Sequence, residues 1–164
     1  MSISVFTPAP KPADEFLRSE AASMSPLLGT ALSAYATSIA RDTRDMFGAR
    51  WSGVCLIFDE WQHVVASSGG MIGLYRRSTS ISSYVVASPR EPFCVLDTSR
   101  DERFAGNPFV TDGLIGFYAG AAIMDRSGYA IGALCVTDRN SRDAVDPDAL
   151  RQLKVVAASL GGTL

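Results

Sequence analysis

Two apolar segments joined by a three-residue link constrain the fold of this chain more than any other feature. Residues 117–125 (FYAGAAIMD) and 129–138 (YAIGALCVTD) are rich in small and apolar side chains and contain no proline. In the link Arg126-Ser127-Gly128, the glycine suits the positive φ of a tight hairpin with a bulge. Because each segment is apolar at odd and even positions, we expect two antiparallel strands at the centre of a sheet, covered on both faces.

Residues 104–116, which precede this hairpin, follow neither a strand nor a helix pattern. They contain Phe104, Pro108 and Phe109 among several glycines. Irregular segments that carry aromatic side chains beside a rigid sheet often form binding sites. We therefore interpret residues 104–116 as the wall of a cavity, and we expect its two phenylalanines to be exposed.

The composition is that of one globular domain. Of the 164 residues, 47% are apolar and 20% are charged, and the net charge of −2 gives no reason to expect nucleic acid or an anionic membrane as a partner. No apolar run approaches the roughly 18 residues of a membrane helix, and the N-terminus lacks the pattern of a secretory signal. Three cysteines within apolar runs indicate reduced, buried thiols in a cytoplasmic protein.

Start and stop signals define the helices at either end of the chain. We expect residues 1–24 to form a tail with a short helix at 14–24, and residues 25–164 to form the main domain. Ser25-Pro26 should begin a long helix that Gly48 ends. Its apolar face would consist of residues at helical spacing: Leu28, Leu32, Tyr35, Ile39 and Met46.

The last helix shows the same signals. Asp146-Pro147 should begin it and Gly161-Gly162 should end it. Its apolar residues repeat at steps of three and four: Leu150, Leu153, Ala157 and Leu160.

Further strands precede the central hairpin. Residues 54–59, 63–67 and 93–97 predict strands, residues 81–87 predict a short helix capped by Ser78 or Thr79, and residues 71–79 fit neither pattern. Because the hairpins are tight and no long crossover separates the strands, the order of elements predicts an α+β fold with an antiparallel sheet.

Four short motifs within residues 93–138 resemble the GAF domains of bacterial sensory proteins. They are DTSRDERF (97–104), NPFVT (107–111), GFYAGA (116–121) and GYAIGALCVTD (128–138). The resemblance implies a GAF-like, profilin-like antiparallel sheet of five or six strands, with the first and last helices on one face. Loops and short helices would enclose a small-molecule pocket on the other face.

The resemblance does not settle the function. GAF domains bind cyclic nucleotides, haem, bilins or small metabolites, or act only as dimerisation and signalling modules. Covalent bilin attachment in the family resembles Cys followed by His, which this chain lacks, and His63 is the only histidine available to a haem. No C-x-x-C or H-x-x-x-H spacing supports a metal, and no Gly-rich phosphate loop is present. We therefore expect no cofactor and no metal, and a non-covalent ligand stays open.

Catalysis would have to depend on thiols. Some stand-alone GAF proteins reduce free methionine sulfoxide with a cysteine nucleophile and a second cysteine that forms a disulfide. Cys55, Cys94 and Cys135 each lie in a different predicted strand, without the paired spacing of those reductases. His63 has no hydrolase motif around it, and we interpret it as a surface residue. We expect no catalytic residue, and a thiol-dependent reductase is the alternative.

A pocket for a non-covalent ligand is the remaining interpretation. Such pockets are mostly apolar and carry a few placed polar groups. The predicted pocket residues are aromatic, polar or small: Ser83, Tyr84, Phe93, Asp97, Arg100, Phe104, Phe109, Thr111, Tyr118 and Gly120. For the aromatic residues the alternative is core packing, and for the charged residues of 97–103 it is pairing with one another.

The sequence thus favours a small-molecule-binding sensory or regulatory module that is not an enzyme. No output domain is expected within residues 1–164, so the signal would pass to a separate kinase or regulator. Val155 and Val156 add apolar surface beside the stripe of the last helix, which predicts a homodimer through the first and last helices. A docking scaffold without a pocket is the third possibility.

Overall fold

A six-stranded antiparallel sheet forms the centre of the structure, a computed structural model that describes residues 5–164. Its strands are β1 (Trp51–Phe58), β2 (Trp61–Ser67), β3 (Gly73–Arg76), β4 (Phe93–Val95), β5 (Phe117–Met124) and β6 (Ala130–Asp138). They lie in the order β3-β2-β1-β6-β5-β4. The predicted α+β class and antiparallel sheet are confirmed.

The β5–β6 hairpin agrees with the sequence prediction. Gly128 has φ of +88°, and the strand register shifts between Ile123 and Met124 as expected of a bulge. The carboxylate of Asp125 closes the turn by accepting hydrogen bonds from the backbone N–H groups of Ser127 at 3.0 Å and Tyr129 at 2.9 Å. β6 pairs with β1 at the middle of the sheet, and β5 lies one strand further out.

The helices are α1 (Glu15–Ser23), α2 (Ser33–Phe47), α3 (Ser82–Ala87), α4 (Pro108–Thr111) and α5 (Pro147–Gly162). The three longest, α1, α2 and α5, cover one face of the sheet, where their buried residues join the larger apolar core. Helix α3 and the segment that contains Phe104 cover the opposite face and form a second core. The sheet therefore separates two layers, as the family resemblance implied.

The predicted start of the long helix was wrong. Ser25 accepts a hydrogen bond from the backbone N–H of Leu27 at 3.2 Å, but this cap begins only a 3₁₀ turn, Pro26–Leu28. The chain then bends at Gly29, and α2 begins at Ser33. Gly48 ends α2 with φ of +55°, as predicted.

The predicted apolar face of this helix was right only in part, since Leu32 and Ile39 pack against the core but other members of the stripe do not. Tyr35 and Met46 are 41% and 38% exposed, whereas the face of α2 that meets the sheet consists of Ala36, Ala40, Thr43 and Phe47. Small side chains let a helix approach the sheet closely, so Tyr35 and Met46 lie to its side.

Three smaller expectations are corrected. Ser80 caps α3 in place of Ser78 or Thr79, since its hydroxyl accepts from the Ser83 N–H at 3.2 Å. Of the predicted stop Gly161-Gly162, only Gly162 ends α5; Gly161 is still helical and lies against β5, where any Cβ would overlap the carbonyl oxygen of Met124. Phe104 is buried in the second core rather than exposed.

A buried arginine that the sequence interpretation did not single out anchors α1 to the sheet. The guanidinium of Arg18 donates to the carbonyl oxygens of Ile57 at 2.7 Å and Ala130 at 3.0 Å. It also pairs with Glu15, which in turn pairs with Arg77. Burial would raise the pKa of Glu15, but hydrogen bonds from Arg77 and Arg18 outweigh it and lower that pKa to about 2.

Candidate ligand-binding site

A cavity of about 280 Å³ opens on the face of the sheet that α1, α2 and α5 leave free. Strands β1, β2, β5 and β6 form its floor, while β3, the start of α3 and the loop around α4 form its sides. The side chains that line it are mostly apolar and include Trp51, Cys55, Phe109, Leu114, Ile115, Tyr118 and Cys135. An apolar concave site of this size suits a small organic ligand.

Two aromatic rings lie flat on the floor because a glycine follows each of them two residues later. The ring of Trp51 covers Gly53 on β1, and the ring of Tyr118 covers Gly120 on β5. A Cβ at either glycine would overlap the ring above it. The spacing of two places ring and glycine on the same face of a strand, so the local motifs W-x-G and Y-x-G determine how both rings lie.

Tyr118 is held from α3. Its hydroxyl forms a 2.7 Å hydrogen bond with the hydroxyl of Ser82, and both side chains are buried. Burial raises the pKa of Tyr118 well above its usual value, so it stays a neutral phenol. It can donate or accept a hydrogen bond but carries no charge.

Two of the three cysteines meet on the same floor. Cys55 on β1 and Cys135 on β6 are 1% and 4% exposed, and they are diagonal neighbours because Gly53 pairs with Cys135 and Cys55 with Ala133. A hydrogen bond from Cys135 lowers the pKa of Cys55 against the effect of burial, and the same contact together with burial raises the pKa of Cys135 well above its usual value. Cys94 packs on the helix-covered face, where burial raises its pKa.

The outer wall is formed by the loop that carries Phe109, Leu114 and Ile115. Asn107 positions it: its side-chain oxygen accepts from the Phe109 N–H at 3.0 Å, and its side-chain nitrogen donates to the Thr79 carbonyl at 2.9 Å. At the end of the loop, the Gly116 N–H donates to the Asp138 carbonyl at 2.7 Å. The wall is therefore anchored on both sides of an exposed segment.

Comparison with known families decides the identity of this fold. A family model described as "GAF domain" matches residues 31–164, most of the chain. This chain belongs to the GAF domain family. The resemblance noted in the sequence is thereby confirmed.

A curated relative of this GAF domain is a cyclic di-GMP phosphodiesterase of Pseudomonas aeruginosa, 38% identical over 78 residues. The aligned segment covers 47% of this chain but only 13% of that protein. The GAF domain thus matches a small part of a much longer relative.

Solved structures of low identity share the fold. The GAF domain of an Acinetobacter phosphoenolpyruvate-protein phosphotransferase has a TM-score of 0.65 at 19% identity, covering 90% of this chain and 87% of that one. The chromophore-binding domain of a bacteriophytochrome from R. palustris scores 0.64 at 14% identity, covering 93% and 62%. A type II free methionine-R-sulfoxide reductase from Thermoplasma acidophilum scores 0.63 at 11%, covering 78% and 88%. These similarities show the architecture of the GAF domain.

Two of the ten predicted pocket residues, Phe109 and Tyr118, line the cavity. Gly120 lies beneath the ring of Tyr118. Ser83 is buried on α3, where its hydroxyl donates to the Arg77 carbonyl at 3.4 Å. These residues belong to the same region of the GAF domain.

Three other predicted residues form an aromatic cluster outside the cavity. Tyr84 stacks on Phe93 with 5.5 Å between ring centroids, and the Phe104 ring packs edge-on against both. The guanidinium of Arg103 lies 5.0 to 5.4 Å from all three rings. The hydroxyl of Tyr84 donates to the Thr7 carbonyl, so the N-terminal segment covers this cluster.

The remaining predicted residues serve local turns. Asp97 accepts from the backbone N–H of Ser99 at 3.0 Å and pairs with Arg100 at 3.5 Å. Hydrogen bonds from Ser99 hold the pKa of the Asp97 carboxyl below its usual value. Thr111 donates to the Pro108 carbonyl at 3.2 Å within α4. None of these three lines the cavity in the part of the chain that the structure describes.

Several cavity residues were missing from the sequence interpretation. They are one aromatic residue, one serine and three arginines: Trp51, Ser82, Arg50, Arg76 and Arg139. The W-x-G spacing at residues 51–53 could have pointed to Trp51, since it matches Y-x-G at 118–120. The arginines carry no such local signal, because only the strand order brings them to one cavity.

His63 lies on β2, half-buried, with its ring 6.4 Å from that of Phe58, and it does not line the cavity. Within residues 5–164, no group of three or more His, Cys, Asp or Glu side chains could hold a metal ion. None of the helices over the same range combines the length and apolarity needed to span a bilayer.

Proposed function

We propose that this GAF domain is a non-catalytic sensory or regulatory module that binds a small molecule in the cavity. The observation that carries the proposal is the cavity itself, enclosed between the Trp51–Tyr118 floor and the anchored wall loop. A well-formed apolar cavity with a few polar groups supports ligand binding, and the family consists typically of sensory modules.

The ligand would act by shifting the population of wall conformations. The wall from residue 100 to 116 is tied at Asn107 and Gly116, while Leu114 between them is exposed. A ligand that contacts Phe109 would favour one position of this segment. Strand β5 would carry the change to the helix layer, because Tyr118 faces the cavity and the next residue, Ala119, faces the helices.

The output of the module is proposed to leave through the helices. Exposed apolar side chains on α2 and α5 support a homodimer that docks on a kinase or another regulator in trans. The ligand would then alter the arrangement of the helix layer that the partner contacts.

A thermal-unfolding screen against metabolites and nucleotides tests the proposal. We expect at least one compound to raise the unfolding midpoint, because binding to the native state alone stabilises it. Phe109→Ala should reduce that shift, since it removes an aromatic side chain of the cavity. Phe58→Ala is the matched control, because it removes another half-buried ring that packs on the helix-covered face, outside the cavity.

The outcomes separate the possibilities. A shift that Phe109→Ala reduces and Phe58→Ala leaves intact supports the cavity as the sensing site. If no compound raises the midpoint, the proposal fails and a docking scaffold is favoured. If both variants reduce the shift equally, the ligand does not depend on this cavity.

A second candidate is a thiol-dependent reductase, which the contact between Cys55 and Cys135 favours. One thiol would attack the sulfur of a sulfoxide, take up its oxygen as a sulfenic acid and release the thioether. The second thiol would then displace water from the sulfenic acid and form a disulfide. An external dithiol would have to reduce that disulfide after each turnover. The near-complete burial of both sulfurs argues against this candidate.

A further inference from the structure

One end of the cavity presents hydrogen-bond donors without matching acceptors. Arg50 immediately precedes β1, Arg139 immediately follows β6, and both border the cavity. The pairing of Trp51 with Thr137 brings these two strand ends together. Both arginines are exposed, and neither forms a salt bridge with any residue of 5–164.

Trp51 adds a buried donor at the same end. Its indole Nε1–H has no hydrogen-bond partner among the described residues, although the atom is buried. A buried donor without a partner is unfavourable, so an acceptor supplied by a ligand would be favoured there.

The one carboxylate that lines this cavity within residues 5–164 does not balance the donors. Asp138 already pairs with Arg142 at 3.4 Å. Positive charge is therefore in excess here, although the chain as a whole has a net charge of −2.

The rest of the cavity is mostly apolar and small. Val64, Ile81 and Ile115 join the aromatic floor and the two thiols. A volume of about 280 Å³ lies at the lower end of the range for ligand sites. It suits one ring or a short hydrocarbon chain better than a large cofactor.

From these observations, and resting on the proposed function of the cavity, we propose that the ligand is a small amphipathic anion. Its apolar body lies on Tyr118 and Phe109. Its single anionic group, a carboxylate or a phosphate, is bound by Arg50, Arg139 and the indole N–H of Trp51. Guanidinium groups bind both kinds of anion through charge-assisted hydrogen bonds.

Titration calorimetry with three probes of similar apolar body tests the charge requirement. The probes are 3-phenylpropanoate, phenyl phosphate and the neutral 3-phenylpropan-1-ol. We expect at least one anion to bind about tenfold or more tightly than the alcohol, because a charge-assisted hydrogen bond is stronger than a neutral one. The anion that binds more tightly identifies the ligand class as carboxylate or phosphate. Added salt should weaken the binding of the anions but not of the alcohol.

Arginine variants locate the anionic group. Arg139→Gln should reduce the affinity for the anion about fivefold or more and leave the affinity for the alcohol unchanged. Arg76→Gln is the matched control: Arg76 also lines the cavity, but it ends β3 opposite Trp61, at the other end of the sheet from Arg50. Both positions are exposed, so neither variant should disturb folding. Trp51→Phe keeps a ring over Gly53 while removing the indole N–H. It should also reduce the affinity for the anion and leave that for the alcohol unchanged.

Each outcome bears on the inference. Equal binding of alcohol and anions overturns the anionic class but leaves the cavity as a ligand site. Equal losses in Arg139→Gln and Arg76→Gln overturn the proposed position of the charge. If none of the three probes binds, the ligand class is wrong, and the Phe109→Ala screen decides separately whether the cavity senses anything.

Discussion

At the scale of single residues, the cavity depends on small side chains beneath large ones. Gly53 and Gly120 let the rings of Trp51 and Tyr118 lie on the sheet, which creates an apolar floor. The two thiols occupy the space that remains on that floor. Their burial is what distinguishes a binding floor from a reactive site, because a thiol needs both access and thiolate character to react.

Alkylation of the native protein with iodoacetamide, followed by mass spectrometry, tests this distinction. We expect Cys55 and Cys135 to react slowly near neutral pH, since both are buried and the pKa of Cys135 is raised well above its usual value. Denaturant should make all three cysteines reactive. Cys94→Ala removes the half-buried thiol, so that the signal reports on the pair alone. Rapid labelling of Cys55 would contradict a purely binding role and favour the reductase.

At the scale of elements, α1 is fixed by charges rather than by a broad apolar face. Phe16 on this helix is exposed, whereas Arg18 is fully buried. The Arg18–Glu15–Arg77 network satisfies the charges and joins α1 to the turn after β3. Buried charges of this kind are stable only while every partner stays ionised.

Acid should therefore weaken the attachment of α1. The pKa of Glu15 is about 2 in the folded protein against an ordinary value of 4.5 in the unfolded chain, so the unfolded state binds more protons between these limits. The stability that Glu15 contributes is present above pH 4.5 and is lost as the pH falls towards 2. We expect a loss on the order of 2 kcal/mol across this window, measured by urea unfolding at each pH.

Variants on the same helix isolate this effect. Glu15→Gln should be less stable than the wild type at neutral pH and should show a smaller further loss in acid. Glu20→Gln, which alters an exposed carboxylate of α1, should follow the wild-type curve. Identical acid dependence in Glu15→Gln and the wild type would show that the network contributes nothing to stability.

At the scale of the whole molecule, one sheet connects two layers with different roles. The cavity face carries the rings and thiols, and the other face carries α1, α2 and α5. Neighbouring residues of β5 face opposite layers: Tyr118 packs on the cavity side and Ala119 packs under the helices. The outer side of this helix layer retains exposed apolar side chains, including Tyr35 and Met46.

Light scattering tests whether this outer side forms a dimer. We expect a mass of twice the 17.5 kDa of the chain. Val155→Arg should shift the protein towards the monomer, because Val155 on α5 is 60% exposed and a charge there would oppose burial. Leu74→Arg is the control, since Leu74 is 57% exposed on edge strand β3, away from the helices. A wild-type mass of one chain at every concentration would refute the dimer.

Elements whose signals lie close together along the chain could be predicted from the sequence. The β5–β6 hairpin follows from two apolar segments and Gly128, and the start of α5 follows from Asp146, whose carboxylate accepts from the Asp148 N–H at 2.9 Å. The end of α2 follows from Gly48. Each of these depends on residues within a few positions of one another, so the pattern alone sufficed. The family motifs then supplied the arrangement of the layers.

Which residues meet at the cavity, and which anchor the helices, depends on contacts between segments that are distant in the sequence. Arg18 reaches the Ala130 carbonyl 112 positions away, and the diagonal contact of Cys55 with Cys135 exists because β1 pairs with β6. On α2, Tyr35 and Met46 lie beside the sheet contact, because the small side chains of Ala36 and Ala40 let the helix approach closely. One aromatic cluster packs outside the cavity and consists of Tyr84, Phe93 and Phe104. The cavity itself is lined by Trp51, Arg50 and Arg139. Periodicity records which side of an element is apolar, but the partner across the sheet decides what that side contacts.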